Sequence, residues 1–152
     1  MTDRISLSRE RRDGPAGRSV ARASIPQPRP SEDHLLQVRR TRWNDDVLVV
    51  SADGEIDLAT AGRLERQLWH DLPATTVLDL TGVTFLGVAG LRVIESAAAR
   101  ARTERRAVGV VARTRPVLRL LHLFGVDAHI PVYQYLAHAI REVPKAASVP
   151  HR

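Results

Sequence analysis

Residues 77–91 read Val77-Leu78-Asp79-Leu80-Thr81-Gly82-Val83-Thr84-Phe85-Leu86-Gly87-Val88-Ala89-Gly90-Leu91. Val77 to Leu80 is a short apolar run of the kind a buried strand presents. A connector follows from Thr81 to Leu86. From Val88 to about Arg105, Leu91, Ile94, Ala98 and Ala101 recur at helical spacing and make one apolar stripe. A strand that feeds a helix through a glycine-flanked turn is the building unit of an α/β domain.

The alternation continues on both sides of this unit. Upstream, Leu35 to Trp43 reads as a strand, Asn44-Asp45-Asp46 as a tight turn and Val47 to Ala52 as a β-branched buried strand. Gly54 to Asp57 then reads as a loop. A helix from about Ala59 to Leu72 places Ala61, Leu64, Leu68 and Leu72 on one face, and Pro73 is expected to end it. Downstream, Val108 to Val111 is a strand. Pro116 opens a helix through Leu118, Leu121 and Phe124 that Gly125 closes. Ile130 to Val132 is a last short strand, and Gln134 to Val143 a last amphipathic helix. The order β-β-α-β-α-β-α-β-α predicts an α/β fold with a mixed, partly parallel sheet of about five strands and about four covering helices.

A chain of 152 residues accommodates one domain with tails. The domain is expected over residues 34–143. Residues 1–33, with Asp13-Gly14-Pro15 and the run Pro26 to Pro30, read as a disordered Arg/Pro-rich tail, and residues 144–152 as a second one. The absence of cysteine excludes disulfides and thiolate metal sites. No apolar run approaches the roughly 20 residues of a membrane span, and arginines interrupt any apolar signal segment near the N-terminus. A cytoplasmic location with no membrane partner is expected.

The net charge of +6 divides as +2 over residues 1–34, +2 over 35–143 and +2 over 144–152. The folded part is therefore nearly balanced, whereas nucleic-acid binders concentrate charge on one face or arm. The densest cluster, Arg100, Arg102, Arg105 and Arg106, falls at the predicted end of a helix, where the dipole favours cations. Nucleic acid is a disfavoured partner, limited to weak binding through the Arg-rich segments.

No catalytic constellation is found. The six histidines lack the spacing of zinc ligands, and neither an HExxH pattern nor a GxSxG elbow occurs. Gly87 to Gly90 sits where a phosphate loop would sit, yet it lacks the lysine and hydroxyl of GxxxxGK[ST]. The sequence therefore points to a non-enzymatic protein with no cofactor and no metal.

Two linked segments, GEIDLATAGRLERQL (Gly54 to Leu68) and VLDLTGVTFLGVAGL (Val77 to Leu91), resemble the STAS family of sulfate transporter and anti-sigma factor antagonist domains, especially its actinobacterial single-domain members. RPVLRLLHLFGVD, Arg115 to Asp127, is similar to the family's third helix and closing glycine. The resemblance spans about residues 35–143. It implies a partner-switching regulator of transcription whose partner is an anti-sigma factor with a kinase-like ATPase fold. Family members carry Asp-Ser-Ser-Gly-Leu at the turn into the second helix, and the first serine is the phospho-acceptor. The matching positions here are Gly87, Val88, Ala89, Gly90 and Leu91. The resemblance thus implies that Val88 stands in the acceptor position without a hydroxyl, within a switch turn of Gly87, Val88, Ala89 and Gly90. The partner surface it implies comprises Gly54, Glu55 and Asp57 with Leu91, Arg92, Glu95 and Ser96.

Each of these residues also has a plainer role to fill. Gly54, Gly87 and Gly90 suit tight backbone turns, and Asp57 and Thr60 suit the cap of the first helix. A competing reading makes the chain an assembly module that pairs with other STAS proteins, which an exposed apolar patch over Val88 and Leu91 would favour.

Overall fold

The computed structural model describes residues 35–144. Strand β1 (Gln37–Arg42) turns into β2 (Val47–Ile56) through an Asx turn. In this turn the Asn44 Oδ1 accepts the amides of Asp46 at 2.9 Å and Val47 at 2.8 Å. Then follow α1 (Ala61–Leu68), β3 (Thr75–Leu86), α2 (Val88–Thr103), β4 (Ala107–Val111) and α3 (Arg115–Leu123). A 3-10 turn at Val126–Ala128, β5 (Val132–Tyr133) and α4 (Leu136–Glu142) complete the described chain.

The five strands lie in the order β1-β2-β3-β4-β5, with β1 antiparallel to β2 and every later pair parallel. Each parallel crossover steps the same way across the sheet. The right-handed rule for such connections therefore stacks α1, α2 and α3 on one face. Their stripes (Ala61, Leu64 and Leu68; Leu91, Ile94, Ala97 and Ala98; Val117 and Leu121) close on Leu48, Val50, Leu78, Leu80, Val83 and Val110. Helix α4 covers the other face, where Ala139 and Val143 pack on Val47, Val49, Val77 and Val111. Val47 to Val50 are buried on both sides of the sheet, which explains why this stretch reads as an unbroken apolar run.

Besides the last strand, which is Val132–Tyr133 rather than Ile130 to Val132, three elements differ from the sequence-based expectation. First, the segment expected as a connector, Thr81 to Leu86, is the second half of β3, and Gly54 to Ile56, expected as loop, belong to β2. The ladder between these strands shifts register at Ser51/Asp53 and again at Gly54/Glu55, so β3 uses two more residues than β2 over the same span. Its core-facing residues Leu78, Leu80, Val83 and Leu86 are spaced 2, 3 and 3 apart. Bulges of this kind break the strict alternation by which a strand is recognised. Gly54, at φ +114°, supplies the backbone freedom for the second shift.

Second, α1 ends at Leu68, well before Pro73. Its final carbonyls are taken by side chains from neighbouring elements. Arg40 of β1 donates to the Gln67 carbonyl and, at 3.1 Å, to that of Asp71. Arg100 of α2 donates to Leu68 at 3.4 Å and Trp69 at 3.2 Å. These donors satisfy the orphan groups of a helix end from outside the helix. Leu72 still packs in the core, although it lies beyond the helix. Third, α3 turns Val117 and Leu121 inward, while Phe124 is half exposed. Gly125 closes this helix at φ +69°, as expected. The expected tails, apart from Pro144, lie outside the described residues.

Candidate functional site

The carboxyl ends of β2 and β3 bring the two family-like segments together. The Gly87 amide donates to the Ile56 carbonyl at 2.8 Å, which fixes the turn into α2 against the turn into α1. On the α1 side, Asp57 Oδ1 accepts the amides of Ala59 and Thr60, both at 2.9 Å. The Thr60 hydroxyl accepts the Asp57 amide at 2.9 Å and donates to the Glu55 carbonyl at 2.7 Å. Asp57 and Thr60 therefore close between them the turn that leads into α1, while Thr60, its N-cap, makes no side-chain bond to the helix amides. Glu55 remains exposed, and Asp57 and Gly54 are half-buried.

On the α2 side, Gly87 is the N-cap with φ −92° and ψ 174°, an ordinary extended conformation that any residue can adopt. A Cβ at Gly87 would meet the Phe85 ring at 3.4 Å, the Ile56 carbonyl at 3.5 Å and the Asp57 Cα at 3.7 Å, all normal contacts. The backbone does not demand glycine here. The cap makes no side-chain hydrogen bond. The first intrahelical bond runs from the Leu91 amide to the Gly87 carbonyl at 3.0 Å, so the amides of Val88, Ala89 and Gly90 point out of the helix end. Gly90, by contrast, is required by packing, because a methyl group there would collide with Ile56 and Leu86.

Val88 is the first residue of α2 and is 45% exposed. Arg92, Glu95 and Ser96 are exposed on the turns that follow, and Val88, Arg92 and Glu95 share a helix face by their spacing. Leu91 does not join them. Its side chain is 1% exposed in the core between helix and sheet, so it is corrected from a contact residue to a core residue. An apolar patch over Val88 and Leu91 is therefore absent. The apolar surface at this end is made instead by Leu58 at 88% exposure, Phe85 at 49% and Val88, residues grouped about the Gly87–Asp57 junction. Leu58 and Phe85 were not legible as surface residues, since both sit in runs that read as helix start and connector.

The basic cluster at the opposite end of α2 is largely occupied within the domain. Arg100 pairs with Glu104 at 2.8 Å and lies 5.0 Å above the Trp69 ring, and Arg106 pairs with the same Glu104 at 3.4 Å. His122 meets Asp127 at 2.9 Å on the surface. Tyr133 on β5 has its phenol pushed upward by burial first and by the Glu142 carboxylate second, and stays neutral at ordinary pH. Among the described residues no three His, Cys, Asp or Glu side chains converge on a metal-sized site. No described helix is long and apolar enough to cross a membrane.

Comparison with known proteins agrees with this geometry. The STAS domain model matches residues 39–139. The anti-sigma-F factor antagonist RsfB of Mycobacterium tuberculosis is 35% identical over 103 residues, covering 66% of this chain and 84% of the relative. The anti-sigma-F factor antagonist RsfA of the same species is 30% identical over 100 residues, covering 59% and 74%. The crystal structure of an anti-sigma factor antagonist from Mycobacterium paratuberculosis superposes with a TM-score of 0.62 at 35% identity, over 71% of this chain and 93% of that one. With a family model that spans residues 39–139 and relatives that align over most of their own length, this chain belongs to the STAS domain family.

Proposed function

We propose that this protein is an anti-sigma factor antagonist that engages its anti-sigma factor through the α2 N-terminal end and cannot be switched off by phosphorylation there. The carrying observation is the pairing of two facts. Relatives at 35% and 30% identity bear the name anti-sigma-F factor antagonist, and the exposed first residue of α2 is Val88. The surface consists of Glu55 and Asp57 from the β2–α1 junction, the turn Gly87 to Gly90, and Arg92, Glu95 and Ser96 on the first turns of α2. The partner is an anti-sigma factor of the kinase-like ATPase kind, the setting is the cytoplasm, and the protein acts by binding rather than by catalysis.

A hydroxyl at the start of a helix is a sound place for a phosphoryl switch. The outward amides and the helix dipole accommodate a phosphate in the domain itself. A charge of about −1.5 to −2 at the same time repels a partner packed over that turn. Val88 offers no oxygen for the transfer, and neither does Ala89 beside it. Thr84, the nearest hydroxyl upstream, lies within β3 and faces the Gly54 carbonyl at 3.4 Å. Loss of the switch leaves the antagonist constitutive toward its partner. Nucleic acid is not the partner proposed, because Arg100 and Arg106 are engaged by Glu104 and Trp69.

The test combines the purified chain with each anti-sigma factor encoded in its source genome, with and without ATP, and maps phosphate by mass spectrometry. Wild type should bind one of them, stay bound in ATP and carry no phosphate on residues 84–91. A Gly87→Asp, Val88→Ser, Ala89→Ser triple variant should acquire phosphate and dissociate. Phosphate on the wild-type turn, or ATP-driven release of wild type, overturns the locked switch. Absence of binding to every anti-sigma factor overturns the partner.

A further inference from the structure

The apolar surface at the head of α2 continues past Phe85 into a groove of about 810 Å³ between the end of β3 and α3. Its walls include Phe85 on one side and Pro116, Leu120 and Leu123 on the other, and Arg115 and Arg119 stand on its rim. Leu123 is 65% exposed, which is unusual for a leucine at the end of an amphipathic helix whose inward residues Val117 and Leu121 are fully buried. Arg115, Arg119 and Leu123 are spaced four apart and so share one exposed face of α3. Neither arginine belongs to an ion pair among the described residues. The groove thus presents an apolar interior and two unneutralised cations, a combination that favours an apolar side chain flanked by carboxylates.

Three occupants compete, and charge separates them. A second copy docked on the same patch by a two-fold axis would bring Arg115 and Arg119 against their own equivalents. The chain's own residues 1–34 carry a net +2 and would add cations to a cationic rim. An anti-sigma factor covering the α2 turn meets neither obstacle. It also reaches the groove without a break, because the Phe85 ring borders both Gly87 and the groove.

We infer that the groove between Phe85 and α3 is a second docking point for the anti-sigma factor, receiving a segment in which a large apolar side chain is bracketed by Asp or Glu. This inference rests on the proposed partner, and its test separates the two. The full-length chain is titrated calorimetrically with the anti-sigma factor that wild type binds, using Leu123→Glu, the pair Arg115→Gln with Arg119→Gln, and Arg102→Gln at the far end of α2 as control. All four side chains are exposed, and circular dichroism verifies that each variant is folded. Leu123→Glu should weaken binding at least tenfold. The arginine pair should weaken it several-fold at low salt and less at high salt, and the control should match wild type.

Wild-type affinity in both groove variants overturns the groove while leaving the partner in place. Failure of wild type to bind any anti-sigma factor overturns both. Two further results also overturn it: a wild-type dimer in light scattering that Leu123→Glu dissolves, or broadening of Phe85 and Leu123 amides by a nitroxide on Val20→Cys, a unique site in a chain without cysteine. They would assign the groove to a second copy or to the chain itself.

Discussion

The two ends of α2 are built on opposite plans. At the C-terminal end Arg100, Glu104 and Arg106 are engaged with one another or with Trp69. Arg105 sits at φ 58° in the left-handed position usual for glycine, its amide donating to Arg102 at 3.1 Å and that of Arg106 to Ala101 at 2.7 Å. Glu104 gathers Arg100 and Arg106, and Arg100 bridges to Trp69 and the last carbonyls of α1. At the N-terminal end the cap is a glycine without a side-chain bond, and outward amides are surrounded by Leu58, Phe85 and Val88. The end richest in charge is closed on itself, and the end with no charge in its first turn is open. A cluster of arginines therefore says little about binding until its internal partners are counted.

The contrast can be broken by substitution at each end. The largest effect is expected where the open end meets the core. Gly90→Val should cost about 2–3 kcal/mol in urea unfolding, because its side chain collides with Ile56 and Leu86. A neutral result would mean that the turn is plastic rather than seated on β2. Next, Arg100→Ala should cost about 1–2 kcal/mol through lost carbonyl bonds and the Trp69 stack. Arg102→Ala, exposed and outside any ion pair among the described residues, should stay within about 0.5 kcal/mol. Equal effects would dissolve the claim that the basic end is an internal strut.

Arg105→Gly should stabilise the domain by about 1 kcal/mol by relieving the left-handed conformation, raising the thermal midpoint by a few degrees. The smallest effect is expected at Gly87→Asp, where a side-chain cap adds about a few tenths of a kcal/mol. Hydrogen exchange of the Val88, Ala89 and Gly90 amides should slow in this variant. Unchanged exchange would show those amides to be already engaged.

Much of this architecture follows from local pattern alone. The stripes Ala61-Leu64-Leu68 and Leu91-Ile94-Ala98-Ala101 are buried as their spacing implies, because helical period alone decides which residues share a face. The same holds for the Asn44 turn, the Asp57–Thr60 turn into α1 and the Gly125 closure, each a side-chain or backbone property acting within a few residues. Membership of the STAS family also rested on residues legible in one dimension.

Tertiary structure decided what depends on neighbours across the sheet. The bulges that carry β3 through Thr81 to Leu86 follow from pairing with β2, whose own length was hidden by Gly54. The end of α1 is set by Arg40 and Arg100, which lie far away in sequence. Leu91 and Leu123 are both leucines at helical spacing, yet one is sealed against the sheet and the other stands open beside Phe85. Periodicity tells which residues share a face. Only the packed neighbours determine whether that face is covered, and so which apolar side chains remain for a partner.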